Sequence, residues 1–182
     1  MPIKAFADAK LRLAAALDAA QRAALAEVMA GRVLAAADGL PVLVVCDDES
    51  VARWAHHRGV RVMRQPGQGL NGAVEAGVNH LAAAGVQRVI VAHADLPLAE
   101  RLGDLDVGRG VTLVPDRRDD GTNVACVPAA GGFRFSYGPG SFQRHCAEAA
   151  RLGAELYVVR DPRLALDVDV PDDLSLLASR SR

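Results

Sequence analysis

The sequence predicts an α/β fold in which a mostly parallel, mixed sheet carries helices on both faces. Three observations lead there. Arg88-Val89-Ile90-Val91-Ala92 is an apolar run bounded by Gly85 and Pro97, as in a strand covered on both sides. Strand-like runs alternate along the chain with segments of helical spacing. The 182 residues are 51% apolar, enough for one domain, 1–182, with a real core. Asp95 then falls just past the carboxyl end of a central strand, the edge at which open α/β sheets bind ligands.

Composition excludes several classes of function. A net charge of -1 offers no cationic excess for tracking nucleic acid. No apolar run nears the ~20 residues that span a bilayer, and no signal-peptide pattern opens the chain, so a cytoplasmic location is expected. Cys46, Cys126 and Cys146 lack metal-ligand spacing and read as reduced thiols, the first two in strand-like core runs. Lys4 and Lys10 are the only lysines among 21 basic residues, which points to phosphate-binding ammonium groups at the amino end of an otherwise arginine-rich surface.

In chain order, Met1-Pro2-Ile3 supplies only the last residues of a first strand, and Lys4 to Leu13 forms a loop. Leu17-Asp18-Ala19-Ala20-Gln21 resembles a capping box, followed by helical spacing at Leu25, Val28, Met29, Val33 and Ala36 as far as Gly39. Val42 to Cys46 is a buried strand. Ser50 is expected to cap a short helix through His57, and Val60 to Met63 makes the next strand. Gly67-Gln68-Gly69-Leu70-Asn71-Gly72 matches G-x-G-x-x-G before a helix through Leu81. It comes after the third strand instead of the first, and Asp95 is followed by Leu-Pro, so it reads better as a glycine loop close to a nucleotide than as a dinucleotide fingerprint.

Beyond Pro97 come a helical piece near Glu100 to Leu105, a strand at Val111 to Val114, and the charged loop Pro115 to Asn123. A strand at Val124 to Val127 and a turn at Gly131-Gly132 follow. Gly121-Thr122-Asn123 places a hydroxyl and a backbone N–H where both could face the cleft. Gly138-Pro139-Gly140 leads into Ser141, expected as the N-cap of a helix to Gly153, with unpaired N–H groups making an anion site. Leu156 to Val159 and Leu164 to Pro171 read as strands, with a last helix starting at Asp172. Alternation puts Asp167 and Asp169 on one face, and paired carboxylates there suit a magnesium ion, more so if Asp95 converges on them.

Several stretches together resemble the 2-phospho-L-lactate and phosphoenolpyruvate guanylyltransferase family of coenzyme F-420 biosynthesis. They are Pro2-Ile3-Lys4 with Ala9 to Leu13, Gly69-Leu70-Asn71, Ala94 to Leu98, Asp116-Arg117 with Gly121-Thr122-Asn123, Phe135 to Phe142, and Asp167 to Leu174. That family is similar to the molybdenum-cofactor guanylyltransferases. The resemblance implies a three-layer, Rossmann-like nucleotide-diphospho-sugar transferase fold and transfer of GMP from GTP to the phosphate of a three-carbon phosphoacid, with release of pyrophosphate. It puts Asp95, Asp167 and Asp169 on Mg2+, Thr122, Gly138 and Ser141 around the phosphoacid, Lys4 and Lys10 on the triphosphate, and Gly69, Leu70 and Asn71 near guanine and ribose. Arginine-rich composition suggests a GC-rich bacterial genome, and the bacterial relatives favour phosphoenolpyruvate over 2-phospho-L-lactate or 3-phosphoglycerate.

Two departures from that pattern stand out. The family carries several more apolar residues before the lysine loop, so the first strand here is nearly absent, and His93 stands where Pro or a small residue is expected. Two other readings stay open: an NAD(P)-dependent oxidoreductase built on residues 67–72, and a nucleotide-binding module without turnover.

Overall fold

Four consecutive buried residues form β1 (Leu43–Cys46), which pairs in parallel with β2 (Arg61–Arg64). A second sheet has the order β3-β5-β4-β6, from β3 (Arg88–Ala92), β4 (Val111–Pro115), β5 (Thr122–Pro128) and β6 (Leu156–Val158). In it β3 and β4 both run antiparallel to β5, and β4 runs parallel to β6. The strand expected to sit in parallel company thus has an antiparallel registered neighbour, while the fold as a whole is the expected mixed α/β arrangement. This computed structural model describes residues 1–180.

Alternation along β3 assigns its side chains to two cores. Val89 and Val91 join Val74 and Val78 of α3 (Gly69–Ala83) and Ala149 of α4 (Ser141–Arg151). Ile90 and Ala92 face the other way, with Val33 of α1 (Ala19–Ala35) and Ala36 just beyond it, Leu96 and Leu102. Helices therefore cover β3 on both faces, which is why its sequence is apolar without interruption. Two shorter helices, α2 (Glu49–His56) and α5 (Pro171–Arg180), complete the set.

Several expected boundaries move for identifiable reasons. The box at Asp18 and Gln21 forms as read, with each side chain bonded to the other's backbone N–H. At α2 the cap is Asp48, not Ser50, because the Asp48 carboxylate accepts from the N–H groups of both Ser50 and Val51. Gly140, in the left-handed region, precedes α4, so Ser141 is its first helical residue and no side chain caps it. Residues 164–170 form no ladder strand, yet they keep the alternation, with Leu164, Leu166 and Val168 buried. Gly69, Leu70, Asn71 and Gly72 lie inside the first turn of α3 instead of in a loop ahead of it.

Candidate active site

The chain turns at the end of β3 through His93, whose N–H donates to Asn123 O. The turn is anchored by the fully buried Leu96, and Asp95 projects between these fixed points. Lys10 approaches from the amino-terminal loop with φ +58°, unusual for a lysine. It is held there because Leu13, three residues on, packs in one cluster with Met29 and Val168. Val168 N–H donates to Asp95 O at 3.4 Å, which brings the carboxyl-terminal acids to the same place. The result is a three-way ion pair. Lys10 Nζ lies 2.6 Å from Asp95 Oδ2 and 2.8 Å from Asp169 Oδ1, with only 8% of the lysine side chain exposed.

Electrostatics follow from this geometry. Burial disfavours the Lys10 charge, but Asp95 and Asp169 outweigh it and raise its pKa. Burial likewise opposes charge on Asp95, and Lys10 overcomes it, leaving the carboxyl below its ordinary range. Among the described residues Asp167 has no such partner. Burial first, then the Asp95 charge, push it up to about 6.

Among the described residues no three His, Cys, Asp or Glu side chains are grouped so as to hold a metal ion, and Lys10 stands between two of the expected ligands. The donor chemistry nevertheless suits a hard divalent cation. Asp95 Oδ1 is buried without a hydrogen-bond partner among the described residues, and Asp167 is an acid whose charged form burial and Asp95 disfavour and a nearby cation would stabilise.

The acid at 169 is positioned by a residue to which the motif reading gave no role. Asp173 is 1% exposed, and its Oδ2 accepts from the N–H groups of Asp169 and Val170, both at 2.9 Å. Its Oδ1 pairs with Arg117 at 2.5 Å. An acid at the third position of a helix that opens on Pro171 is the signal that could have found it, since such a side chain reaches back to the residue before the helix.

The second half of the site joins β5 to the loop before α4. Thr122 N–H donates to Ser141 Oγ at 3.0 Å. His145 is fully buried between Thr122 Oγ1 and Ser136 N–H, each at 2.9 Å. Because Nε2 accepts from Ser136, the proton of the neutral ring sits on Nδ1 and is donated to Thr122 Oγ1. Burial, then Arg144, lower the His145 pKa to about 4 and keep the ring neutral. Asn71 clamps the same loop, its Oδ1 accepting from Tyr137 N–H at 2.7 Å and its Nδ2 donating to Tyr137 O.

This corrects the expectation of free N–H groups at the start of α4. Gly140 N–H donates to Asp120 Oδ1, Phe142 N–H to Asp120 O, and Ser141 N–H to Gly138 O. Gly138 adopts φ +118°, a conformation open chiefly to glycine.

The structure thus brings together Lys10, Asp95 and Asp169, with Asp167 in electrostatic reach, and separately links Thr122, Gly138, Ser141 and Asn71. Lys4 is exposed and no contact among the described residues ties it to the acids. Gly69 has φ +62°, and Leu70 packs on the core of α3 and α4. Asp120, His145 and Asp173 are the supporting residues that motif reading missed.

Comparison with known proteins adds four findings. Residues 1–179 match the family model described as Guanylyl transferase CofC like. The chain is 39% identical to a phosphoenolpyruvate guanylyltransferase of Rubrobacter xylanophilus, over 97% of this chain and 91% of that protein. It is 31% identical to a 2-phospho-L-lactate guanylyltransferase of Methanothermobacter thermautotrophicus, over 96% and 80%. In three dimensions it resembles a nucleotide-diphospho-sugar transferase from Desulfovibrio desulfuricans G20, with a TM-score of 0.80 at 17% identity, covering 100% of this chain and 85% of that one.

Proposed function

This chain belongs to the family of CofC-like guanylyl transferases, and we propose that it transfers GMP from GTP to the phosphate of a three-carbon phosphoacid, phosphoenolpyruvate in the first place. The observation that carries this reading is the Lys10 ammonium held between Asp95 and Asp169 at the sheet's carboxyl edge. A lysine there can meet phosphate oxygens, and the acids beside it can share a cation. The product, a guanosine joined through a diphosphate to the acid, belongs to coenzyme F-420 biosynthesis.

The reaction needs little proton chemistry. The second pKa of a phosphate monoester is near ~6, so the acceptor is already mostly a dianion at neutral pH. One of its oxygens bonds to the α-phosphorus of GTP as the bond from that phosphorus to the bridging oxygen breaks, and pyrophosphate leaves with the electron pair. What remains for the protein is to bring two polyanions together in line. Lys10, with Lys4 at the loop's start, neutralises the triphosphate. Thr122, Gly138 and Ser141 hold the phosphoacid, with Asn71 and His145 fixing the loop that carries two of them. Gly69, Leu70 and Asn71 lie on the nucleotide side. Asp95, Asp167 and Asp169 would hold Mg2+, which supplies Lewis-acid stabilisation of charge on the phosphoryl group and pyrophosphate when bound.

The whole chain, 1–182, acts as one catalytic domain on this reading. No helix among the described residues is long and apolar enough to cross a membrane, and we place the enzyme in the cytoplasm. The test incubates purified protein with GTP and Mg2+ and, in separate reactions, phosphoenolpyruvate, 2-phospho-L-lactate and 3-phosphoglycerate. Pyrophosphate release that requires a phosphoacid, fastest with phosphoenolpyruvate, is expected. Silence with all three would remove the assignment.

A further inference from the structure

Among the described residues, every polar backbone group of the loop 136–140 has a hydrogen-bond partner except one. The N–H groups of Ser136, Tyr137 and Gly140 donate to His145, Asn71 and Asp120, and Pro139 has no N–H to place. The carbonyls of Ser136, Gly138 and Pro139 converge on a single guanidinium. Arg144, in the first turn of α4, donates from Nε and Nη2 to Ser136 O at 3.1 and 2.8 Å and from Nη1 to Pro139 O at 2.6 Å. Its Nη2 also lies 3.4 Å from Gly138 O, and its Nε donates to Ser136 Oγ at 2.9 Å. Asn71 Nδ2 and the Arg144 N–H take the carbonyls of Tyr137 and Gly140. What remains is the Gly138 N–H, on an exposed residue.

Packing of the helix does not account for an arginine here. The residues that α4 buries are Ser141, Phe142, His145 and Ala149, while Arg144 stays exposed. Its fit is to the loop instead, which closes on it so tightly that a Cβ added at Gly140 would lie 3.2 Å from Nη1. The electrostatic consequence favours anions. A carbonyl oxygen left free to turn would repel a carboxylate or phosphate, whereas one bound to a guanidinium is fixed in direction and its dipole is offset by the cation. A planar fork is needed to hold acceptors on three residues at once, which a lysine ammonium on its flexible stem does not supply.

We propose that Arg144 is a positioning residue for the phosphoacid site assigned above: its guanidinium holds the loop by its carbonyls, so that the Gly138 N–H is the loop's one backbone donor presented to an anionic oxygen of the phosphoacid. Arg144 acts through Gly138 and does not itself touch the substrate. The nucleotide side is anchored separately, because Tyr137 is clamped by Asn71 of α3 and not by the guanidinium.

The experiment compares wild type with Arg144→Gln and Arg144→Lys, both good helix formers at an exposed position, with folding checked by circular dichroism. The Gly138 amide signal is followed by NMR as phosphoenolpyruvate is added to protein holding Mg2+ and a GTP analogue with a methylene in place of the α,β-bridging oxygen. Pyrophosphate release with GTP itself gives both KM values. In wild type the Gly138 signal is expected to move on titration. In both variants the phosphoenolpyruvate midpoint and KM should rise about tenfold or more, with KM for GTP changed by less than about threefold. Wild-type behaviour of Arg144→Lys would overturn the proposal, since charge alone would then suffice, and so would an equal rise in both KM values. A wild type that releases no pyrophosphate would remove the guanylyl transfer, and the amide titration would still decide the role of Arg144. A wild type that turns over while its Gly138 signal stays still would remove that role alone.

Discussion

Replacing Asp167 by Asn should make the metal-free protein more stable at neutral pH while abolishing its turnover. The folded carboxyl titrates at about 6 against an ordinary value of 3.8. Between those values the folded protein retains a proton that the unfolded chain has lost, so stability falls as pH rises through that window, and the full cost applies above about 6. Two pKa units correspond to ~3 kcal/mol, and screening by solvent at this half-buried side chain reduces that to about 1–2 kcal/mol. Asparagine has no charge to desolvate. At pH 7.5 in chelator, Asp167→Asn should melt about 2–8 °C above wild type, and the gap should close by pH 4. His145 opposes acid in both proteins, since its lowered pKa makes protonation costly below about 6.5, and it cancels in the difference. Melting curves from pH 4 to 8 decide the matter. A gap that does not vary with pH, or a variant less stable at pH 7.5, would refute the reasoning.

Other outcomes follow from the same geometry. Asp95→Asn keeps the Lys10 to Asp169 pair, so it should fold normally, as read by circular dichroism, and lose turnover by about 10²–10³-fold or more in steady-state assays. Asp173→Ala leaves Arg117 and two part-buried N–H groups without their acceptor, and should cost about 1–3 kcal/mol in urea unfolding. Asn71→Ala strips Tyr137 N–H of its acceptor. A loss of about 1–3 kcal/mol is expected, with a raised KM for both the phosphoacid and GTP in steady-state assays.

The sequence was most legible where one physical cause acts locally. Asp18 and Gln21 form their capping box because everything it needs lies within four residues. The run from Val89 to Ala92 announced a strand covered on both faces, which the two cores confirm. Its neighbour was hidden, because an antiparallel partner such as β5 is chosen by topology and leaves no mark on the strand itself. At 164–170 the alternation was right and the ladder was not. Burial of Leu166 and Val168 sets the alternation, whereas a ladder needs a neighbouring edge.

Legibility at the site followed the same division. The convergence of Asp95 and Asp169 could be anticipated from motifs, but the placing of Lys10 between them depends on Leu13 packing against Val168, a contact 155 residues away in the chain. Ser141 looked like a cap because its residue type suits one. The positive φ of Gly140 moved the helix start, and the hydroxyl became a strut to Thr122 instead. His145 and Asp120 carry no motif, since what they bond to comes from separate elements.

The most direct measurement follows the α-phosphorus itself. GTP labelled at that position, mixed with phosphoenolpyruvate, Mg2+ and an excess of enzyme for one turnover, should give its label to a diphosphate-linked guanosine that still bears the acid. Label that stays in GTP, or emerges only as GMP or GDP, would contradict the transfer.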